Sequence, residues 1–120
     1  MKKTLVLGAS PNPERYAYAA VEKLRRSGYE VVAVGIRNGM IGDVPIQIGM
    51  PEIPDVDTIS LYIGPARQES YERYILETIR PKRLIFNPGT ENRKLMDRAS
   101  AQGIEAITAC TLVMLSVGSY

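Results

Sequence analysis

Between Leu7 and Tyr16 the chain reads Gly8-Ala9-Ser10-Pro11-Asn12-Pro13-Glu14-Arg15. These residue types, in this order, suit an anion. A residue without a side chain lets backbone approach a ligand closely, and a helix start just beyond offers free N–H groups. Ser10 and Asn12 bring side-chain donors, and Arg15 brings a planar fork of N–H groups that matches phosphate oxygens. The same stretch also reads as a plain strand-to-helix connection, with Asn12 as helix cap and Arg15 in solvent. Local sequence leaves both readings open. A second cation, Arg37, follows Val31-Val32-Ala33-Val34-Gly35-Ile36.

Groups able to react are scarce. The chain has no histidine, which excludes Ser-His-Asp and Cys-His catalysis, His-ligated zinc and a phosphohistidine intermediate. Its one cysteine, Cys110, allows neither an internal disulfide nor a thiolate metal cluster, and free cysteines mostly pack in cores. Asp55 and Asp57 are explained by turn polarity, and Glu91 by the dipole of a helix start. Tyr16 and Tyr18 lie near the candidate anion loop, whereas Tyr71 and Tyr74 read as packing residues. No catalytic residue and no metal site is assigned.

The loop lacks the dinucleotide fingerprint Gly-x-Gly-x-x-Gly, because Ser10 and Pro13 stand where its second and third glycines would fall. After the second apolar run, NAD sites favour an acidic residue to hold the ribose. Here Arg37 stands instead. It suits a phosphorylated ribose, either the 2′-phosphate of NADP or the 3′-phosphate of coenzyme A, and equally reads as a solvated loop arginine.

These residues need a frame, and the apolar runs supply one. Leu5-Val6-Leu7 reads as a strand buried on both faces. Asn12-Pro13-Glu14 then reads as N-cap, N1 and N2 of a helix with Ala17, Ala20, Val21 and Leu24 on its inner face, stopped by Gly28. Val31 to Val34 is the second strand. Residues 35–56 are rich in glycine and proline and read as loops, with a short extended piece at Val44 to Ile48. Thr58 to Ile63 is the third strand. A helix opening at Gly64-Pro65 buries Tyr71, Ile75 and Ile79. Arg83 to Phe86 is the fourth strand. Thr90 caps a helix through Leu95, Met96 and Ala99, Ile104 to Thr108 is the fifth strand, and Cys110 to Leu115 is a last helical turn. Strands alternating with helices specify an α/β doubly wound parallel sheet. Ligands bind such sheets beyond the carboxyl ends of the strands, where Gly8–Pro13, Gly35–Arg37, Gly64–Pro65 and Asn87–Gly89 fall.

The 120 residues suffice for one domain with a real core, and 45% hydrophobic against 23% charged residues is ordinary for a globular protein. The 15 basic and 13 acidic residues form no basic block, so a duplex nucleic-acid partner is not expected. Lys2-Lys3 before Thr4-Leu5-Val6-Leu7 opens like a signal peptide, but the apolar run stops too soon, and no later run can span a membrane. A reducing cytoplasm is the expected location. Whether the chain forms a homo-oligomer is open.

The segment from Leu7 to Tyr18 resembles the Gly-x-Ser…Pro-x-Arg-x-Ser/Tyr opening of the small CoA-binding domain proteins, stand-alone relatives of the CoA-binding domain of succinyl-CoA synthetase α-subunits. The similarity continues through Ser27-Gly28-Tyr29-Glu30, Pro54-Asp55-Val56-Asp57 and Phe86-Asn87-Pro88-Gly89-Thr90, and covers essentially the whole chain. It implies a Rossmann-like five-stranded parallel sheet of order 3-2-1-4-5, with coenzyme A or an acyl-CoA on its carboxyl rim. Gly8, Ala9 and Ser10 would meet the pyrophosphate, with Asn12 and Arg15 close by. Gly35 and Arg37 would lie near the adenosine and its 3′-phosphate, and Gly64 and Pro65 would border the nucleotide or pantetheine path. Two segments depart from the family pattern, Val34-Gly35-Ile36-Arg37 after strand two and Asn87-Pro88-Gly89 after strand four. The implied function is CoA binding without catalysis by this chain alone. Two alternatives stand beside it, an NADP-linked oxidoreductase or other nucleotide-cofactor enzyme, and an interaction subunit with a disused pocket.

Overall fold

The computed structural model describes residues 2–120. Apolar runs at Thr4–Ala9 (β1), Val31–Gly35 (β2), Thr58–Leu61 (β5), Arg83–Phe86 (β6) and Glu105–Thr108 (β7) form strands, as their β-branched and aliphatic content requires. Two further strands, Met40–Ile41 (β3) and Val44–Ile48 (β4), complete one sheet of order β3-β4-β2-β1-β5-β6-β7. The expected five-stranded order 3-2-1-4-5 is therefore corrected to a seven-stranded mixed sheet. Strand β3 pairs antiparallel with β4, and the remaining strands are mutually parallel. Without β3 they run in the 3-2-1-4-5-6 order of a dinucleotide-type sheet.

The short extended piece expected at Val44 to Ile48 is strand β4, and the stretch before it, expected to be loop, pairs with it in a tight hairpin. Ile41 pairs with Val44 and Met40 with Pro45, leaving Gly42-Asp43 as a two-residue connection with Gly42 at φ +60°. A Gly-Asp pair between apolar residues favours such a turn because glycine takes positive φ without a Cβ penalty. Pro45, which cannot donate to a ladder, sits near the start of β4 with its side chain exposed.

Side chains alternate across the sheet and bury both faces. Leu5, Leu7, Leu61, Leu84 and Phe86 join one core with Ile75, Ile79, Leu95 and Ala99. Val6, Ala33 and Ile85 join the other with Ala17, Val21 and Leu24, backed by Met114 and Leu115. The helices Tyr16–Arg26 (α1) and Thr111–Ser116 (α4) thus cover one face, Arg93–Ala101 (α3) packs Leu95 and Ala99 into the other core beside β7, and Pro65–Gln68 (α2) follows β5.

Three helix boundaries differ from expectation. Helix α1 starts at Tyr16, because Asn12 Oδ1 accepts from the Glu14 N–H (3.0 Å) and closes a separate turn before the helix. Helix α2 passes into a 3₁₀ turn at Glu69–Tyr71 and a π segment at Tyr74–Ile79, closed where the Arg80 N–H reaches Ile75 O with Arg80 at φ 51°. Helix α3 is capped by Asn92, whose Oδ1 accepts from the Leu95 N–H, whereas the Thr90 hydroxyl donates to Asn87 O (2.7 Å).

At the amino end of the sheet, the Tyr120 ring is buried edge-on to Tyr29 and 4.5 Å from the Arg83 guanidinium, and its hydroxyl bonds Thr4 Oγ1. At the carboxyl end two fully buried amides tie the loops together. Asn87 Nδ2 donates to Ser60 Oγ (2.9 Å) and Leu61 O (3.0 Å), and its Oδ1 accepts from the Thr111 N–H (2.8 Å). Gln68 Nε2 donates to Ile63 O and Thr90 O, both at 2.7 Å, and its Oε1 accepts from Asn92 Nδ2 (2.9 Å). Each amide is satisfied on both ends, which is what makes its burial tolerable.

Two outcomes test these ties. Asn87→Ala strands the Thr111 N–H and Leu61 O in the interior and should cost at least about 2 kcal/mol in urea unfolding. Gln68→Leu keeps most of the side-chain volume but leaves Ile63 O and Thr90 O without donors, and should lower stability by about 1–3 kcal/mol.

Candidate functional site

The end of β1 is built by two close approaches. Gly8 sits at φ +98°, where a Cβ would lie 2.9 Å from the backbone carbonyl of Tyr62. It is skipped in the pairing of β1 with β2, a bulge one residue before the last pair, Ala9 with Gly35, after which the chain leaves the sheet. A Cβ on Gly35 would fall 2.2 Å from Ala9 O. Both positions therefore require glycine for the fold itself.

Beyond these ends lies an open cleft of about 410 Å³, within the range of small-ligand sites. Of the residues singled out from sequence, Gly8, Ala9, Ser10, Asn12, Arg15, Gly35, Arg37 and Gly64 line it together. Pro65 does not. It is the first residue of α2, where its fixed φ suits a helix start.

The loop after β1 satisfies itself in a way that leaves donors outward. Ser10 Oγ accepts from the Asn12 N–H (3.1 Å) and Asn12 Oδ1 from the Glu14 N–H, so the hydroxyl proton and the Asn12 amide N–H groups stay free. No side chain caps α1, and its first turn holds no acidic residue. Its first residues, Tyr16 and Ala17, line the cleft, so orphan N–H groups and the positive end of the helix dipole stand at its wall.

Charge on the lining has one sign. Arg15, Arg37 and Arg67 line the cleft, and no aspartate or glutamate does. None of the three makes an ion pair among the described residues, whereas Arg25, Arg73, Arg93 and Arg98 each pair with a carboxylate elsewhere. The nearby rim carboxylate of Glu91 accepts from the Gly89 N–H (2.8 Å) and stays outside the lining.

Sequence reasoning placed the Asn87–Gly89 turn on this rim but missed Arg67 and Thr90 as lining residues, read Tyr71 as a packing residue, and missed Gln68 as the side chain that ties Ile63 to Thr90. Arg67 and Gln68 stand in consecutive turn positions after Gly64-Pro65, and only the fold turns one outward and the other into the core. Tyr62 also lines the cleft. Its hydroxyl is buried without a hydrogen-bond partner among the described residues, and burial pushes its pKa up to about 12, so the phenol is neutral at pH 7. Cys110 is half-buried at the residue before α4 and does not line the cleft. Among the described residues, no three or more of Cys, Asp and Glu gather as a metal site, and no helix is long and apolar enough to cross a membrane.

Known structures share this frame. The chain aligns over 100% of its length, and 98% of the other chain, with the crystal structure of an uncharacterized protein at 50% identity and a TM-score of 0.96. A conserved hypothetical protein from Pyrococcus furiosus aligns at 27% identity over 94% of this chain and 98% of its own, with a TM-score of 0.81. A hypothetical protein from Pyrococcus horikoshii OT3, 24% identical over 97% of this chain and 82% of its own, shares the fold at a TM-score of 0.85. No curated protein shows significant similarity to the chain. The family model described as a CoA binding domain matches residues 2–116, so nearly the whole chain, cleft included, belongs to the CoA-binding domain family.

Proposed function

We propose that the cleft holds coenzyme A or an acyl-CoA, as a binding module that does not catalyse by itself. The observation that carries this reading is the charge inventory around the end of β1. Arg15, Arg37 and the uncapped start of α1 face one cleft whose lining has no carboxylate. Membership of the CoA-binding domain family supports the same ligand class.

The roles follow from the chemistry of each group. The pyrophosphate meets the Gly8–Ser10 backbone and the free N–H groups of α1, with Asn12 and Arg15 beside it. Arg37 follows β2, where a dinucleotide-type sheet places the ribose, and its guanidinium takes the 3′-phosphate. Tyr16 and Ile36, 77% and 67% exposed, offer flat and apolar faces for the adenine. Gly64 borders the path of the pantetheine, with Pro65 holding the loop from behind. The protein is proposed to work in a reducing cytoplasm, where its one thiol stays free.

Gly64 gives a test that separates ligand from fold. Its φ of −65° and ψ of 157° suit any residue, and an added Cβ would meet nothing within 4 Å. Folding therefore does not require glycine here, in contrast to Gly8 and Gly35. Gly64→Ala should leave stability equal or raise it by up to about 1 kcal/mol, yet weaken CoA binding. Undiminished CoA affinity in a folded Gly64→Ala variant would remove this residue from the ligand path.

Thermal-shift titration with CoA, dephospho-CoA, NADP and NAD tests the reading as a whole. CoA at about 100 times its Kd should add about 2.7 kcal/mol of stability. Arg15→Ala should weaken CoA and dephospho-CoA alike by roughly tenfold, since a charge-assisted bond is worth about 1.5–3 kcal/mol. Arg37→Ala should narrow the gap between CoA and dephospho-CoA. Stabilisation by NADP alone would favour the oxidoreductase, and no stabilisation by any of the four would leave the interaction subunit.

A further inference from the structure

The two edges of the sheet are finished differently. On one side β3 turns back along β4 as two residues, with Pro45 and the Arg25–Asp43 ion pair beside the turn. On the other, β7 is bonded to β6 alone. The N–H groups of Glu105 and Ala109 donate to Lys82 O (2.9 Å) and Phe86 O (3.1 Å). Backbone groups alternate in direction along a strand, so Ala106 and Thr108 aim their N–H and C=O away from the sheet. Lysine, proline or a bulge often guards such an edge, and β7 has none of them.

The surface beside this edge is apolar and almost without charge. From Ser100 to Tyr120 the one charged side chain is Glu105, although the whole chain carries 15 basic and 13 acidic residues. Helix α4 turns Met114 and Leu115 into the core, and Lys23 of α1 bonds its Leu112 O and Ser116 Oγ. Val113 and Val117, 56% and 69% exposed, stand one turn apart on the flank away from α1, toward β7. Ile107 of β7 is half-buried against the same core, so it lies on the face that α4 covers. Depletion of charge around exposed aliphatic side chains is the composition of an interface centre.

We infer that β7 and α4 form a dimerisation surface, on which β7 pairs antiparallel with β7 of a second copy about a two-fold axis. The backbone selects the register. Outward residues must oppose outward residues, and only Ala106 opposite Thr108 of the second copy engages both on each strand. Ile107 then meets its own counterpart at a non-hydrogen-bonded site, where side chains lie closest and β-branched pairs are favourable. Glu105 falls opposite Ala109, so the one charge of the segment meets no like charge. This self-complementarity is what points to a second copy rather than a different partner, because an isologous interface must match its own surface. The two-fold keeps both α4 helices on one face, with Val113 and Val117 of each beside the Ile107 pair. Both carboxyl rims stay free and point in opposite directions, so the inference is independent of what the cleft binds.

Sedimentation equilibrium from micromolar to millimolar concentration tests it. The mass should reach that of two chains, against 13.3 kDa for one. Val117→Lys and Thr108→Pro should each raise the dimer dissociation constant by roughly tenfold or more. Both side chains are exposed, and proline at residue 108 removes only an outward N–H, so the melting temperature of the dilute monomer should change little. Met40→Lys, on the opposite edge, should leave the dimer intact. With Cys110→Ser removing the native thiol, Ile107→Cys should give a disulfide-linked dimer under oxidised glutathione. Opposed α-carbons at a non-hydrogen-bonded site lie about 4.5 Å apart, within the roughly 4.4–6.8 Å that a disulfide spans. A monomer at every concentration overturns the inference, as does a dimer that persists in both Val117→Lys and Thr108→Pro. A dimer broken by Met40→Lys, or one that Ile107→Cys does not link, overturns it too. Should the first two variants fail to fold, linkage through Ile107→Cys decides alone.

Discussion

The carboxyl rim depends on how closely the backbones of β1, β2 and the chain after β5 approach one another. Ala9 O and the α-carbon of Gly35 are so near that a single added carbon would overlap the oxygen. On the other flank Gly8, in the left-handed region, lies against the Tyr62 carbonyl. The bulge at Gly8 lies between these contacts, Ala9 still pairs with Gly35, and the chain leaves the sheet at Ser10. That departure sets the entry of α1, the direction of its free N–H groups and the separation of the two halves of the cleft. A side chain at Gly8 or Gly35 would have to move a strand end rather than another side chain, and packed sheets resist that.

The β5–β6 half is fixed by neutral groups instead. Asn87 and Gln68 each span three partners from full burial, and neither brings a charge into the interior. Buried ions would need paired counter-ions to offset their desolvation. Using amides leaves the cleft without carboxylates, so the field of its arginines is not cancelled locally. The acidic side chains that do form ion pairs, Asp43, Glu72, Glu77 and Asp97 among them, hold arginines outside the cleft lining. A chain with 15 basic and 13 acidic residues thereby gathers positive charge at one place without any basic block in its sequence.

Much of the frame is legible in local pattern. The runs at Leu5–Leu7 and Leu84–Phe86 are buried on both faces, as are Ala33 and Val34 at the end of the second run, and such runs read as parallel strands inside the sheet. The extended piece at Val44 to Ile48 was legible and is β4, but its partner β3 and the turn between them were hidden because glycine and proline dominate the surroundings, and composition suggests loop while the Gly42-Asp43 pair signals a turn between strands. Helix caps show the limit of local chemistry. Asn12 and Asn92 both precede a helix and accept from a backbone N–H, yet one closes a separate turn and the other, directly before its helix, caps it. Two prolines around Asn12 favour the turn, and nothing local says how far the helix start is displaced.

By itself the sequence determined the alternation of strands and helices, and it singled out eight residues that the structure brings together along one cleft at the carboxyl rim. It did so because periodic burial and the glycine demands of tight turns are local properties of the chain. Only the tertiary structure decided that seven strands form the sheet, and that Arg67, Tyr71 and Thr90 converge on the cleft from elements far from the first loop. It also decided that no carboxylate does. Which charges face one another depends on strand order and helix rotation, and those are set by packing across the whole sheet rather than by any neighbourhood in sequence.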